Sequence, residues 1–194
     1  LSGTELKADQ VNLYDFSGYV LQAGLSTMVK KSDDSHNEWI QKAREANGKK
    51  VLTAPYSTYV YSKSARYPQW FISLYRSFTN QYGRGVGVIE TAKQCKSIFK
   101  SIISYEKKNH GNAASVYVFN DSGDLIYPYD ITADDANDIS KYYKLTDSDQ
   151  DTLTVQSPVT DQKEYVSRLN SAYTGYTYLT IQPESVILAP VYKM

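Results

Sequence analysis

One stretch of this chain occurs twice. Residues 11–21 read VNLYDFSGYVL, and residues 116–126, 105 positions later, read VYVFNDSGDLI. Val11 meets Val116, Leu13 meets Val118, Tyr14 meets Phe119, Ser17-Gly18 meets Ser122-Gly123, and Leu21 meets Ile126. Each copy is an apolar run, a polar turn closed by glycine, and a second apolar run, which is how a β-hairpin is written. The two halves also end alike. Segments 70–76 and 165–170 are strand-like, and each is followed by a polar, glycine-containing turn and a further strand, 86–90 in one half and 177–182 in the other. The pattern predicts a tandem repeat of one α+β unit, with a boundary near His110 to Ala113. A chain of 194 residues can bury a core in each of two such units.

Helix signals lie between the strands. Ser35-His36-Asn37-Glu38 has the Ser-x-x-Glu form of a capping box, which predicts a helix start at that point. Trp39, Ala43 and Ala46 follow at i, i+4 and i+7, and Asn47-Gly48 supplies a left-handed stop. Cys95, Ile98, Phe99 and Ile102 mark a second amphipathic helix, which runs through Lys107 and links the halves. A shorter helix is expected over 134–143, and Pro183, at a first-turn position, opens a brief final one. Segments 152–157 and 163–172 read as strands.

Composition excludes several function classes. Lys and Arg number 21 and so do Asp and Glu, so no basic footprint exists for nucleic acid. With 41% hydrophobic and 22% charged residues the chain is globular, not disordered. It has no apolar run of the roughly 18 residues a membrane span needs, and its opening residues do not read as a basic, apolar, small-residue leader. Beginning at Leu1 without an initiator Met, it reads as a segment of a longer protein. His36 and His110 stand on different halves without an i, i+4 partner, and Cys95 is alone on an apolar helix face, so no metal, disulfide or reactive thiol is expected. No Gly-x-Ser-x-Gly elbow occurs. Gly83-Arg84-Gly85-Val86-Gly87 leads into a strand, whereas a phosphate loop opens a helix, so it reads as a hairpin turn. The acids of 147–151 lack the Gly and Glu that a calcium loop needs at its sixth and twelfth positions, where Thr152 and Pro158 stand. Asn120-Asp121-Ser122 matches a glycosylation sequon, but as the hairpin turn it has a structural explanation. The reading is therefore of a protein without catalytic residues, cofactor or metal. Tyr outnumbers Phe 19 to 5, which favours surfaces where a ring also presents a hydroxyl to water or a polar ligand.

Four segments, in order and spacing, resemble the extracellular double Cache domain of bacterial membrane sensors, particularly sensor histidine kinases. They are Glu38-Trp39-Ile40-Gln41-Lys42-Ala43 with Asn47-Gly48-Lys49; residues 72–78 leading into Gly85-Val86-Gly87-Val88-Ile89-Glu90; the hairpin of 116–127; and residues 174–179 through Ile181-Gln182-Pro183. The resemblance covers nearly the whole chain. It implies an α+β fold of two tandem PAS-like modules, each an antiparallel sheet flanked by helices, with residues 1–110 the membrane-distal ligand binder and 111–194 the membrane-proximal module. It further implies a parent that crosses the membrane before Leu1 and after Met194, forms a homodimer, and places this segment on the extracellular side of a bacterial membrane. Relatives begin with a long helix rising from the first span. Here only about ten residues precede the first strand, which leaves dimerisation open.

The resemblance also bears on the ligand. Amino-acid-sensing relatives place Arg two residues before the Trp and Tyr just after it, and here those positions hold Asn37 and Ile40. An α-amino acid is disfavoured. Near the expected pocket stand Trp39, Tyr59, Tyr61, Arg66, Tyr67, Trp70 and Ser73, a set suited to an uncharged polyol, sugar or flat small molecule. Trp39 reads equally well as core. Tyr59 and Tyr61 share a strand face by period two. Two other readings stand beside the sensor: a carbohydrate-binding or adhesion module, supported by the Tyr content, and a small hydrolase, for which no nucleophile and base are found. A chemoreceptor would use the same sensor fold. A closed pocket in one module favours a sensor, an exposed aromatic platform an adhesin.

Overall fold

The computed structural model describes residues 7–25, 27–32, 36–59, 67–109, 114–147 and 151–189. By its contacts the chain divides into two compact units, Leu1–Ile98 and Phe99–Met194. The boundary expected at His110 to Ala113 falls outside the described residues.

The first unit contains strands β1 (Gln10–Asp15), β2 (Tyr19–Gly24) and β3 (Met28–Lys31), then helix α1 (Asn37–Glu45). Strands β4 (Val51–Leu52), β5 (Tyr56–Thr58), β6 (Gln69–Thr79) and β7 (Gly85–Gln94) follow, and a single turn, α2 (Cys95–Ile98), ends the unit. The sheet is antiparallel in the order β3-β2-β1-β7-β6-β4, and β5 also pairs with β6. α1 covers one face. Its Ala43, Trp39 and Ile40 pack on Tyr14, Val20, Tyr75 and Val88, while Glu38 and Lys42 form an exposed i, i+4 pair at 2.6 Å. The N-cap is His36, whose side chain makes no capping bond; Ser35, on which the expected capping box rests, lies outside the described residues. The stop is as written in the sequence. Asn47 and Gly48 both have positive φ, and the Gly48 carbonyl accepts from Arg76 Nε at 2.6 Å.

The second unit runs α3 (Lys100–Lys108), β8 (Ser115–Phe119), β9 (Leu125–Tyr127) and α4 (Ala133–Ser140), the last continuing as a 3-10 turn over Lys141–Asp147. β10 (Thr152–Gln156), β11 (Lys163–Asn170), β12 (Thr177–Pro183) and α5 (Glu184–Leu188) complete it, with the sheet ordered β10-β11-β12-β8-β9. Thr132 caps α4 by accepting from Asp135 N. The helix expected to run from Cys95 through Lys107 breaks at Phe99. That residue leaves helical geometry and buries its ring against Tyr127 and Tyr129, with centroids 5.0 and 5.9 Å away.

Both units thus have the same wiring. The repeated hairpins are β1-β2 and β8-β9, and in each sheet the first hairpin strand pairs with the last strand, β7 or β12. Even the turns repeat in atomic detail. The Asp15 carboxylate accepts from the Ser17 and Tyr19 amides, and Asn120 Oδ1, 105 positions on, accepts from the Ser122 and Asp124 amides. Each is an Asx-type turn whose glycine, Gly18 or Gly123, takes the positive φ. On the first sheet's outer face, Val29, Leu21 and Leu13 stand side by side across β3, β2 and β1 and are 70, 49 and 38% exposed.

Candidate functional site

A strand with one buried face ordinarily turns its apolar side chains inward. β1 reverses this: Gln10, Asn12 and Tyr14 are buried while Leu13 faces outward. The reason lies on the neighbouring strands. Asn12 stands opposite Glu90 of β7, and Glu90 opposite Tyr75 of β6. Glu90 is fully buried. One of its carboxylate oxygens accepts from Asn12 Nδ2 at 2.8 Å and from the Tyr14 hydroxyl at 2.7 Å, and the other accepts from the Ser73 hydroxyl at 2.6 Å. Since the single Ser73 proton goes to Glu90, the Tyr56 hydroxyl, 2.7 Å away, donates to Ser73 in turn. Burying a carboxylate is costly unless it is hydrogen-bonded, and three bonds to a charged acceptor, each worth about 1.5–3 kcal/mol, offset much of that cost.

Next to this network lies a cavity of about 300 Å³, lined by His36, Trp39, Thr53, Ala54, Pro55, Tyr56 and Tyr75. Its wall of 53–55 is tied to β6 in both directions: Thr53 N donates to the Ser73 carbonyl at 2.9 Å, and Ser73 N donates to Thr53 Oγ1 at 3.0 Å. Tyr75 places its hydroxyl 2.7 Å from His36 Nδ1, which itself stands 3.8 Å from Glu90. Burial, and then the Glu90 charge, hold the Tyr75 phenol far above its ordinary range, so it remains a neutral hydroxyl at physiological pH. Among the described residues the lining includes no Lys or Arg. The cavity therefore presents aromatic faces and hydroxyls, with a buried negative charge beneath.

Of the expected site residues, Trp39 lines the cavity and also packs into the core, stacked on Tyr75 with centroids 6.3 Å apart. Ser73 is buried within the Glu90 network beneath the lining. Trp70 is half-buried in β6 between Gln69 and Phe71, and alternation puts it on the sheet face opposite Ser73. Tyr59 follows the end of β5 and is 56% exposed, and Tyr67 is 74% exposed. Tyr61 and Arg66 lie outside the described residues. Asn37 is exposed on the first turn of α1, and Ile40 packs into the core. Sequence reasoning did not name His36, Thr53, Tyr56, Tyr75, Asn12, Tyr14 or Glu90. A signal for them existed in the polar alternation of Gln10, Asn12 and Tyr14 within an otherwise apolar strand, and in an acid closing the run 85–90.

The second unit answers the same positions differently. By the repeat, Tyr117 replaces Asn12 and Phe119 replaces Tyr14; Leu179 stands opposite Tyr117 as Glu90 stands opposite Asn12. Tyr142 and Tyr143 then pack against Tyr117 and Phe119, and the equivalent place is filled by core side chains, the Tyr142 hydroxyl donating to the buried Glu164 carboxylate at 2.6 Å. This unit has a cavity of its own, about 370 Å³, lined by Ile102, Tyr105, Val116, Leu169 and Tyr178 among others. It opens on the other face of the sheet, because Val116 and Tyr178 alternate with the core residues Tyr117 and Leu179.

No family model matches the chain, and no curated protein matches it in sequence. Solved structures do match. The ligand-binding domain of Mlp24 with asparagine superposes with a TM-score of 0.65 at 17% identity, covering 95% of this chain and 72% of its own. The chain has the double Cache fold. The ligand-binding domain of the Pseudomonas aeruginosa amino-acid chemoreceptor PctB with L-Arg gives 0.66 at 13% identity, over 100 and 73% of the two chains. An extracellular domain assigned to a histidine kinase gives 0.63 at 17%, over 92 and 72%. Among the described residues of this double Cache chain, no helix is long and apolar enough to cross a membrane and no cluster of His, Cys, Asp or Glu could hold a metal ion.

Proposed function

We propose that this chain is the extracellular small-molecule-sensing part of a bacterial membrane receptor, of the sensor histidine kinase type, with the first unit as ligand binder and the second as relay. One observation carries the assignment of roles: at matching registers the first unit buries Asn12, Tyr14 and Glu90 beside a cavity, whereas the second fills the same places with Tyr117, Phe119 and Leu179. A polar network costs stability that an apolar core would not, and ligand recognition gives a reason to keep it. The cavity also favours a sensor over an adhesin. Solved domains of this fold belong both to chemoreceptors and to proteins assigned as histidine kinases, so the output side rests on the sequence resemblance. In the receptor, ligand binding would shift the population between two arrangements of a membrane dimer, and β12 with α5, at the end of the described chain, would pass the change to a following span.

A thermal-shift screen of the chain against amines, polyols, sugars and amino acids tests this. A ligand at 100 times its dissociation constant stabilises the unit that holds it by about 2.7 kcal/mol, and the shift should vanish in Trp39→Leu. A ligand whose effect survives Trp39→Leu but is lost on substituting Tyr178 in the second unit would reverse the assignment.

A further inference from the structure

Within that sensor reading, on which this step rests, we infer that the ligand of the first-unit cavity carries a methylated ammonium group, a cation with few or no N–H donors. The lining comes first. Trp39, Tyr56, Tyr75 and His36 make up most of it, and ring faces carry the negative end of a quadrupole that attracts cations, quaternary ammonium groups above all. Lys42 Nζ, paired with Glu38, sits 4.4 Å from the Trp39 ring centroid, and a ligand cation would compete with it for that ring. Charge comes second. The donors to Glu90 are the neutral groups of Asn12, Tyr14 and Ser73; the nearest cation-forming group, His36 Nδ1, stands 3.8 Å away, beyond hydrogen-bonding distance, and among the described residues neither Lys nor Arg bonds to Glu90 or lines the cavity. A buried negative charge in a low-dielectric wall favours a cation nearby and disfavours a carboxylate.

The third observation selects the kind of cation. Glu90 is fully buried, outside the lining, and its oxygens already accept three bonds at 2.6–2.8 Å. A primary ammonium entering the cavity would meet the hydroxyls of Tyr56 and Tyr75, each already in a hydrogen bond, but not the carboxylate, so it recovers only part of what it gives up to water. A methylated ammonium has little such loss to recover. It takes its stabilisation from ring faces and from the field of Glu90. The uncharged ligand favoured by sequence alone thus becomes a cationic one, while the argument from Asn37 and Ile40 against a carboxylate is kept.

The test is calorimetric titration of the whole chain with four probes: choline, tetramethylammonium, ethanolamine, and the neutral carbon isostere of choline in which a tert-butyl group replaces trimethylammonium. Choline and tetramethylammonium should bind, the isostere and ethanolamine at least about tenfold more weakly. Glu90→Gln, which removes the charge and keeps an acceptor, should weaken choline about tenfold, and Trp39→Leu should abolish its binding. If Glu90→Gln does not fold, the comparison of choline with its isostere in the unaltered chain still decides. Equal affinity for choline and its isostere overturns the inference, as does failure of both cations to bind. In either case a polyol, sugar or amino acid whose stabilising effect is lost in Trp39→Leu would leave the sensor reading standing, whereas a screen in which nothing binds sinks both.

Discussion

Replacing Glu90 by Leu would give the first unit the residue that the second unit carries at the matching position, Leu179, and the cost can be worked from the donors left behind. Three groups donate to Glu90: Asn12 Nδ2, the Tyr14 hydroxyl and the Ser73 hydroxyl. Ser73 has an escape. Its proton can swing to the Tyr56 oxygen 2.7 Å away, with the Tyr56 proton turning toward the cavity. Asn12 Nδ2 and the Tyr14 hydroxyl both lose the Glu90 acceptor, and each buried donor left without a good acceptor costs about 1–3 kcal/mol. Glu90→Leu should therefore destabilise the first unit by about 2–6 kcal/mol.

The control is Tyr14→Phe, which copies Phe119 of the second unit. Alone it removes one of the three bonds to Glu90; combined with Glu90→Leu it removes a donor that no longer has a use. The double variant should be more stable than the sum of the singles by about 1–3 kcal/mol, because deleting both partners costs less than orphaning one. Urea unfolding of the four proteins, followed by tryptophan fluorescence, measures this, both tryptophans lying in the first unit. A loss below about 1 kcal/mol for Glu90→Leu, or strict additivity, would show that the network does not depend on its carboxylate.

Three further outcomes are expected. Asp15, fully exposed, is held below its ordinary 3.8 by the Tyr19 amide first and then the Ser17 hydroxyl; a lowered carboxyl adds stability above its unfolded value and loses it as pH falls through the folded one. Asp15→Ala should therefore destabilise at neutral pH, and the difference from the unaltered chain should shrink in melts taken below 3.8. Cys95 is buried and its thiol is pushed up to about 12 by that burial, so iodoacetamide should label it in urea but not in the native protein at pH 7; native labelling would contradict the described packing. At Gly87 a Cβ would come within 2.5 Å of the Tyr14 carbonyl and 2.7 Å of the Phe78 ring, so Gly87→Ala should lower the unfolding free energy by about 1–3 kcal/mol in urea melts, and an unchanged midpoint would mean that β1 and β7 can part at little cost.

What could be read from the sequence was whatever depends on local rules. The hairpin of 11–21 and its copy at 116–126 fold as the same Asx-closed turn because Asp15 and Asn120 carry an acceptor at the same atom and Gly18 and Gly123 supply the same positive φ. The end of α1 at Asn47-Gly48 and the hairpin at Gly83 follow from equally local geometry. The start of α1 shows the limit of such rules. At its N-cap stands His36, whose Nδ1 is 2.7 Å from the hydroxyl of Tyr75, 39 residues away, a contact that no local spacing announces.

The site was hidden for a related reason, which the repeat itself exposes. Pattern reading assigns the inward face of a strand to its apolar residues, and in β8 that face, carrying Tyr117 and Phe119, does pack into the core. In β1 the same positions are Asn12 and Tyr14, so the inward face is polar and the apolar Leu13 falls on the other one. The alternation of Asn12 and Tyr14 marks the change without giving its cause. It requires Glu90, 78 residues from Asn12, whose buried charge needs donors that only polar residues on β1 can supply. Comparing the two copies, not reading either alone, locates the difference: where Tyr117 faces Leu179 the chain builds core, and where Asn12 faces Glu90 it keeps a buried charge beside a cavity. On the proposed assignment of roles, a polar pair in one copy and an apolar pair at the same register in the other point to the copy that binds.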